Sequence, residues 1–473
     1  MQIRQVFLYL FFFISVFVNA QNKQLLYNFT DIPQSLMVNP GAEIQNSAYF
    51  GIPALSGIYA GAGSSEISIY DLFSDNGVDF NIKVKNAIYS LNKSDIQRVN
   101  EELEILNVGF KLGGLFNKDY ISFGIYQELN FFNYWPEDLA ILAYEGNAPN
   151  IGRPFDLSHL SAKGELLTVF HVGFHRKVDD HFSFGVRGKL YSGVIDVSSR
   201  SNSGSFITSL GTDNTYRHTL ISDVEIRTSG IASLREDDVD GATDVLNILK
   251  NKALLGGNLG VGFDFGVTYK PSKEWTHTAS IQDLGFIRQS KDIETYTLKG
   301  AYSLEGINLP FNNIITGGGL SDNWQELIDD IEEALPYEIV NSSYTTMRPL
   351  KLNLASIYNF GERRSSKECN CATDDNSYIN SVGIQFFAET HSRYPQAALT
   401  AFYYTRIGEW LKLKTTYTVD KFSKTNIGLG LSTHFANFNF YLLADNLIEY
   451  YNLANMNNAS LQFGFNYIFP LRH

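Results

Sequence analysis

A chain of 473 residues with 44% hydrophobic and 14% aromatic side chains carries too much large apolar surface to stay disordered, although only 18% of it is charged, below the roughly 25% of soluble domains. A mean hydropathy of −0.13 excludes a bundle of membrane-spanning helices, each of which needs about 20 apolar residues. The formal net charge of −13 leaves no basic footprint for nucleic acid.

The first element in chain order is a leader. Arg4, the apolar run Val6 to Val18 and the small-residue site Val18-Asn19-Ala20 are the three parts of a secretory signal, predicting cleavage between Ala20 and Gln21. No Cys follows the cleavage position, so a lipid anchor is not expected there. Residues 21–46 read as an N-terminal extended or plug segment, and 47–473 as one structure that this segment enters. Asn39-Pro40-Gly41 and Gly51-Ile52-Pro53 break the early chain into turns.

From Leu106 onward the dominant pattern is period two. Leu106, Val108, Phe110 and Leu112 alternate with small or polar residues, then a turn at Asn117-Lys118-Asp119, then Ile121 to Phe131 alternate in the same way. Further strands are predicted at Leu166 to Phe174, Phe182 to Val197, Leu259 to Tyr269 and Trp275 to Phe286. Later ones are Leu350 to Phe360, Ile379 to Glu389, Ala397 to Ile407, Trp410 to Val419, Asn426 to Phe435, Phe438 to Leu447 and Leu461 to Phe469. Strands of about ten residues, with short turns on one side and long connections on the other, predict an all-β, transmembrane, antiparallel outer-membrane barrel. The expected count is about 14 strands, with 12 to 16 compatible; up-and-down parity fails to close around Ser199 to Leu254, which marks a miscounted strand there. Ser199 to Thr215, Leu234 to Leu254, Ser290 to Met347 and Gly361 to Ser377 read as loops. Helical spacing is predicted at Pro136 to Tyr144, Thr243 to Lys252 and Asn323 to Leu335.

Four sites call for a chemical reading. His171 and His175 would pair on a helix, but on a strand four residues at about 3.3 Å set them roughly 13 Å apart, too far to share one ion; both are expected to face the lumen. Asp238, Asp240 and Asp244 resemble the first half of a calcium loop, but Asn247 stands where the closing Glu belongs, so an acidic rim loop with Thr243 or Asp244 capping a helix is the better reading. Cys369 and Cys371 sit in a polar loop and are read as a local disulfide or free thiols. Asp283-Leu284-Gly285 puts a carboxylate and a glycine inside a strand, predicting a kink or bulge with Asp283 in the lumen, where Asp283 and Gly285 could form part of a gate. No nucleophile elbow, phosphate loop or zinc-protease motif is present, and neither an enzyme nor a cofactor is expected.

Asp31-Ile32-Pro33-Gln34-Ser35-Leu36-Met37-Val38-Asn39-Pro40-Gly41, then Phe50 to Ser56, Asp264 to Pro271, Ser280 to Ile287, Gly300 to Leu309 and Ala444-Asp445-Asn446 span nearly the whole mature chain. Together they resemble an uncharacterised family of Bacteroidota outer-membrane barrels that is distantly similar to FadL/PorV-like and PorP/SprF-like proteins. The resemblance implies a FadL-like barrel in the cell outer membrane with a non-enzymatic accessory role, binding a protein partner in type IX secretion or cell-surface machinery. The alternative expectation is a FadL-like channel for small hydrophobic molecules, or a polar diffusion pore. Outer-membrane lipid, an envelope protein and a hydrophobic small molecule are thus the expected partners.

Overall fold

The structure, a computed structural model, describes residues 23–469 apart from 45, 114–117, 200, 212–214, 236–240, 306–337, 363–377, 392, 394, 409 and 448–455. Strand formation follows the alternation of the sequence. The first wall strand is split into β1 (Ala48–Gly51) and β2 (Ile58–Ser64), on either side of the turn that holds Pro53. β3 (Ile96–Lys111) and β4 (Asp119–Tyr134) form a long hairpin, and after a short β5 (Pro154–Asp156), β6 (Ala162–Lys177) and β7 (Phe182–Ser199) form another. β8 (Ser203–Leu210) and β9 (Tyr216–Ser229) leave the wall; β10 (Asn258–Tyr269) and β11 (Trp275–Gln289) return to it. β12 (Ile293–Glu305) and β13 (Glu338–Val340) lie outside it. β14 (Tyr344–Met347) and β15 (Lys351–Glu362) are a second split strand, separated at Pro349, which has no N–H to offer a ladder. β16 (Tyr378–Glu389), β17 (Gln396–Ile407), β18 (Leu411–Val419), β19 (Asn426–Phe435), β20 (Phe438–Ala444) and β21 (Asn458–Phe469) complete the wall.

The register closes the wall. β21 pairs with β20 on one side and with β1 and β2 on the other, and these pair in turn with β3. With β1/β2 and β14/β15 each counted as one interrupted strand, the result is a closed antiparallel barrel of 14 strands with no open edge. The terminal strand shows how its faces divide. Leu461, Phe465 and Phe469 are exposed on the outside, whereas Gln462, Asn466 and Ile468 are buried inside. Ile468, the exception to the alternation, packs inside against Leu36, Ile44, Tyr49 and Tyr120.

The parity problem has a structural answer. The missing wall strand is the pair β1/β2, while β8 and β9 stand beyond the barrel rim, where β9 pairs with β12 along thirteen positions. The expected loop at Ser290 to Met347 therefore contains β12, β13 and β14, and that at Ser199 to Thr215 contains β8. Arg217, Asp223, Glu225 and Arg227 on β9, with Glu294, Lys299 and Glu305 on β12, give these strands charges that a lipid-facing wall would not tolerate.

One rim carries tight turns, such as 178–181, 270–274 and 436–437; the other carries the helices and the extra strands. There α1 (Ile69–Phe73) and α2 (Phe80–Ser90) join β2 to β3, α3 (Glu137–Glu145) follows β4, and α4 (Ala242–Asn251) precedes β10. Ile88, Ile141, Leu142 and Phe155 pack α2 and α3 into a small core of their own. No helix among the described residues is long and apolar enough to cross a membrane.

Candidate functional site

The lumen is filled by the chain's own N-terminus. Residues 23–44 run inside the barrel, and Leu25, Leu26, Tyr27, Phe29 and Ile32 are almost fully buried against Tyr441 and Leu443 of β20. The small residues on the inner face make room for this segment: a Cβ on Gly428 would lie 3.1 Å from Leu25, and one on Gly430 would lie 3.0 Å from Phe29. The fit is tightest where Asn39-Pro40-Gly41 crosses β7 and β10. A Cβ on Gly185 would fall 1.9 Å from the Pro40 carbonyl oxygen, and one on Gly266 would fall 2.1 Å from Asn39 Oδ1, so only glycine is accommodated at either position.

Polar side chains of the wall hold the plug by its backbone. Lys414 Nζ, fully buried, donates to the carbonyls of Leu25 at 3.1 Å, Gln24 at 3.3 Å and Tyr27 at 2.5 Å, and lies over the Phe402 ring. Gln282 Nε2 donates to the Met37 carbonyl at 2.9 Å, Ser280 to that of Val38 at 2.8 Å, and Thr268 and Ser183 to that of Gly41. Gln34 exchanges hydrogen bonds with Asn466 and donates to Glu104, and Glu43 pairs with Lys270 at 2.7 Å. Every one of these groups would be hydrated if the segment left, so the closure is exchangeable in a way that a wholly apolar seal is not.

The regular pairing of the wall is interrupted in β11. Asp283 has φ +60°, in the left-handed region that few non-glycine residues adopt, and its amide donates to Asp264 Oδ1 at 2.8 Å instead of joining the ladder. On the β10 side the register jumps from Phe263↔Leu284 to Phe265↔Ile281, a bulge. On the other side β11 pairs with β15 up to Gln282 and with β14 from Phe286, and the gap is bridged by the Arg348 amide donating to the Gly285 carbonyl at 3.0 Å. Asp283 thus has no ladder partner on either flank, whereas Leu284 and Gly285 keep Phe263 and Gly262 of β10 and lose only their partners on the β14/β15 side.

A chain of alternating charges lines this break. Arg348 bonds Glu165 and holds Glu128 at 2.9 Å; Lys351 lies 3.8 Å from Glu128 and 2.9 Å from Asp283. Lys189 then joins Asp283 at 2.6 Å to Asp264 at 2.9 Å, and Arg187 reaches Asp264 at 3.2 Å. Arg187 also donates to the Leu36 carbonyl and contacts the Met37 sulfur, so the series runs from the wall break into the plug. Beside it lies an inward-facing apolar patch of Tyr126, Leu167, Val169, Tyr191 and Ile287, covered by Met37. Between plug and helical rim remains a cavity of about 80 Å³, bordered by Arg98, Glu101, Glu128, Asn130, Asp283 and Lys351 among others.

The residues singled out from the sequence fall into three groups. Asp283 and Gly285 sit at the break, with the Asp283 side chain in the lumen. His171 and His175 also face inward and are buried; His171 packs on the Tyr126 ring at 5.9 Å, outside the charge series. Asp244 is exposed in the first turn of α4, whose N-cap is Gly241 rather than Thr243 or Asp244. Ala20, Gln21, Asp238, Asp240, Cys369 and Cys371 lie outside the described residues. Arg187, Lys189, Arg348, Lys351 and Lys414 belong to no motif that sequence reasoning singles out. Their signal was nonetheless present, because a charge at an inward position of a strand whose other face is apolar has to meet a partner inside.

Among solved structures, the chain is similar to a FadL homologue of Pseudomonas aeruginosa, at 10% identity and TM-score 0.42 over 94% of this chain and 95% of that one. It is also similar to the Pseudomonas putida toluene transporter TodX, at 9% and 0.37 over 92% of each, and to the CymD monoaromatic hydrocarbon channel, at 9% and 0.41 over 94% and 95%. These scores add nothing to what the strand register establishes. No curated protein matches the chain. A family model does, over residues 40–445, a stretch that holds the plug crossing, the wall break and the charge series alike: the chain belongs to the family of unknown function DUF5723.

Proposed function

We propose that this protein is a gated outer-membrane channel for small molecules, in which the N-terminal segment closes the lumen and the break in β11 is a side exit through the wall. Cleavage after Ala20, which would free the segment to enter the barrel, belongs to the same proposal. The observation that carries it is the patch of Tyr126, Leu167, Val169, Tyr191 and Ile287. It is an apolar patch on the inner wall, it adjoins the interruption of β11 at Asp283, and it is covered by Met37 of the plug. A small apolar solute entering from the helical rim would displace Met37, rest on the patch and pass between β11 and β14/β15 into the bilayer without crossing the charged lumen.

Equilibrium binding of an apolar fluorescent probe such as phenylnaphthylamine to the purified barrel, against variants Val169→Asn and Ile287→Asn, tests this. Each side chain is almost fully buried, and replacing it with an amide removes about 2 kcal/mol of apolar contact, so affinity is expected to fall by about thirtyfold. Unchanged affinity in both variants would remove the patch from the path. The charged cavity favours a second reading, a polar diffusion pore, which would show as steady ion conductance with the plug in place. The accessory role in type IX secretion rests on the sequence resemblance alone.

A further inference from the structure

Helix α4 is amphipathic, and its apolar face is only partly covered among the described residues: Val245, Ile248 and Leu249 are half-buried and Leu246 is exposed. Val245, Leu246, Ile248 and Leu249 gather on one side and Thr243, Asp244, Asn247, Lys250 and Asn251 on the other, and none of its residues is buried. After it, Leu255 is held at φ +69°, a left-handed conformation that disfavours leucine, and Leu254 and Leu255 are exposed at 60% and 41%. The turn is fixed in place: Lys252 Nζ binds Asp292 at 2.6 Å, Ser233 Oγ at 2.7 Å and the Gly230 carbonyl at 2.9 Å. A strained leucine in a clamped turn is a specified arrangement rather than a loose loop.

What covers this face is indicated by its position. β10 presents Leu259, Val261, Phe263, Phe265 and Tyr269 outward in one row, all exposed. From Leu259 to Tyr269 the strand advances ten residues at about 3.3 Å, which at a tilt of about 40° gives roughly 25 Å of height, the thickness of the apolar band of such barrels. Leu259 thus marks the upper edge of the band, and Leu255 and Leu254 come four and five residues before it, in a turn whose Lys252 carbonyl accepts from Ser192 Oγ of β7 at 2.6 Å, so that the turn and α4 sit at the rim end of the β7–β10 wall.

We propose that α4 and the turn after it are an interfacial membrane anchor, lying in the headgroup and acyl boundary of the leaflet at the helical rim with Leu246, Leu249, Leu254 and Leu255 among the lipid chains. Lys250, on the polar edge, is placed to meet lipid phosphate. The anchor keeps the rim structure seated on the bilayer beside the β7–β10 wall, and it does not depend on what the channel carries.

The test uses the full chain with Cys369 and Cys371 replaced by serine, carrying a nitroxide at Leu246→Cys, Leu254→Cys or Thr243→Cys, in phosphatidylcholine vesicles. Collision rates with oxygen, which concentrates in lipid, and with a water-soluble nickel chelate are compared. Labels at 246 and 254 are expected to favour oxygen and the label at 243 the nickel chelate, inverting the order between the two faces. Equal preference for nickel at 246 and 243 would place the helix in water. Protection of 246 from both reagents would mean that protein covers it, and either result overturns the proposal.

Discussion

Replacing Arg348 with alanine is expected to destabilise the barrel by about 3–5 kcal/mol. The guanidinium is completely buried and neutralises both Glu128 and Glu165, which are buried as well. Without it, two carboxylates face each other in the lumen with Lys351 and Lys163 as their remaining cations, at 3.8 Å and 2.9 Å. The loss is read as a lower urea midpoint for the folded, heat-modifiable form in detergent. Its cause is separable: Glu128→Gln and Glu165→Gln added to Arg348→Ala remove the uncompensated charge, and most of the stability is expected to return. A loss below about 1 kcal/mol for Arg348→Ala alone, the range of exposed ion pairs, would mean that water reaches the break freely and that the charge series is not a sealed element.

Lys414→Met acts on the plug instead of the wall. The methionine keeps most of the side-chain volume and leaves the carbonyls of Gln24, Leu25 and Tyr27 without their common donor. A buried hydrogen bond is worth about 0.5–1.5 kcal/mol, and three carbonyls share this one donor, so a loss of about 3 kcal/mol in docking is expected. That raises the population with the segment undocked about a hundredfold. Amide hydrogen exchange at residues 25–32 measures it directly, because exchange there follows the undocked population. The barrel amides of β18 and β19 should keep their protection. If protection of 25–32 changes by less than about threefold, the plug is held by its apolar contacts with Tyr441 and Leu443 and the lysine is incidental.

Much of this architecture was legible in the residues, for a physical reason. A wall strand between lipid and a polar interior must alternate, and Leu461 to Phe469 or Leu259 to Tyr269 carry that alternation in full. The kink at Asp283 was legible as well, because a carboxylate beside glycine has no place in a regular lipid-facing strand. The split strand β1/β2 was not, because Ala60-Gly61-Ala62-Gly63 are small on both faces and carry no hydrophobic period. β12 was read as part of a loop and β9 lay in the stretch where parity failed; both are long and regular, but their charges mark an extension beyond the barrel rim.

The contents of the lumen were the least legible part. Glycines and small residues on the inner face fit a water-filled pore and a packed plug equally well at the level of sequence. Only the approach of Asn39-Pro40-Gly41 to Gly185 and Gly266 distinguishes the two. The charge series was hidden because its members come from β4, β6, β7, β10, β11 and β15 and the break before β15, so no local motif contains more than two of them.

That the chain closes its own lumen with its N-terminus is tested most directly by ion conductance across planar bilayers. The intact protein is compared with a form lacking residues 23–44, and correct folding of both is checked by heat-modifiable mobility. The intact protein should be electrically silent apart from brief openings, and the shortened form should give steady, large, ohmic channels through the 14-stranded barrel. Equal steady conductance from both proteins would contradict this closure, since residues 23–44 would then not be what seals the pore.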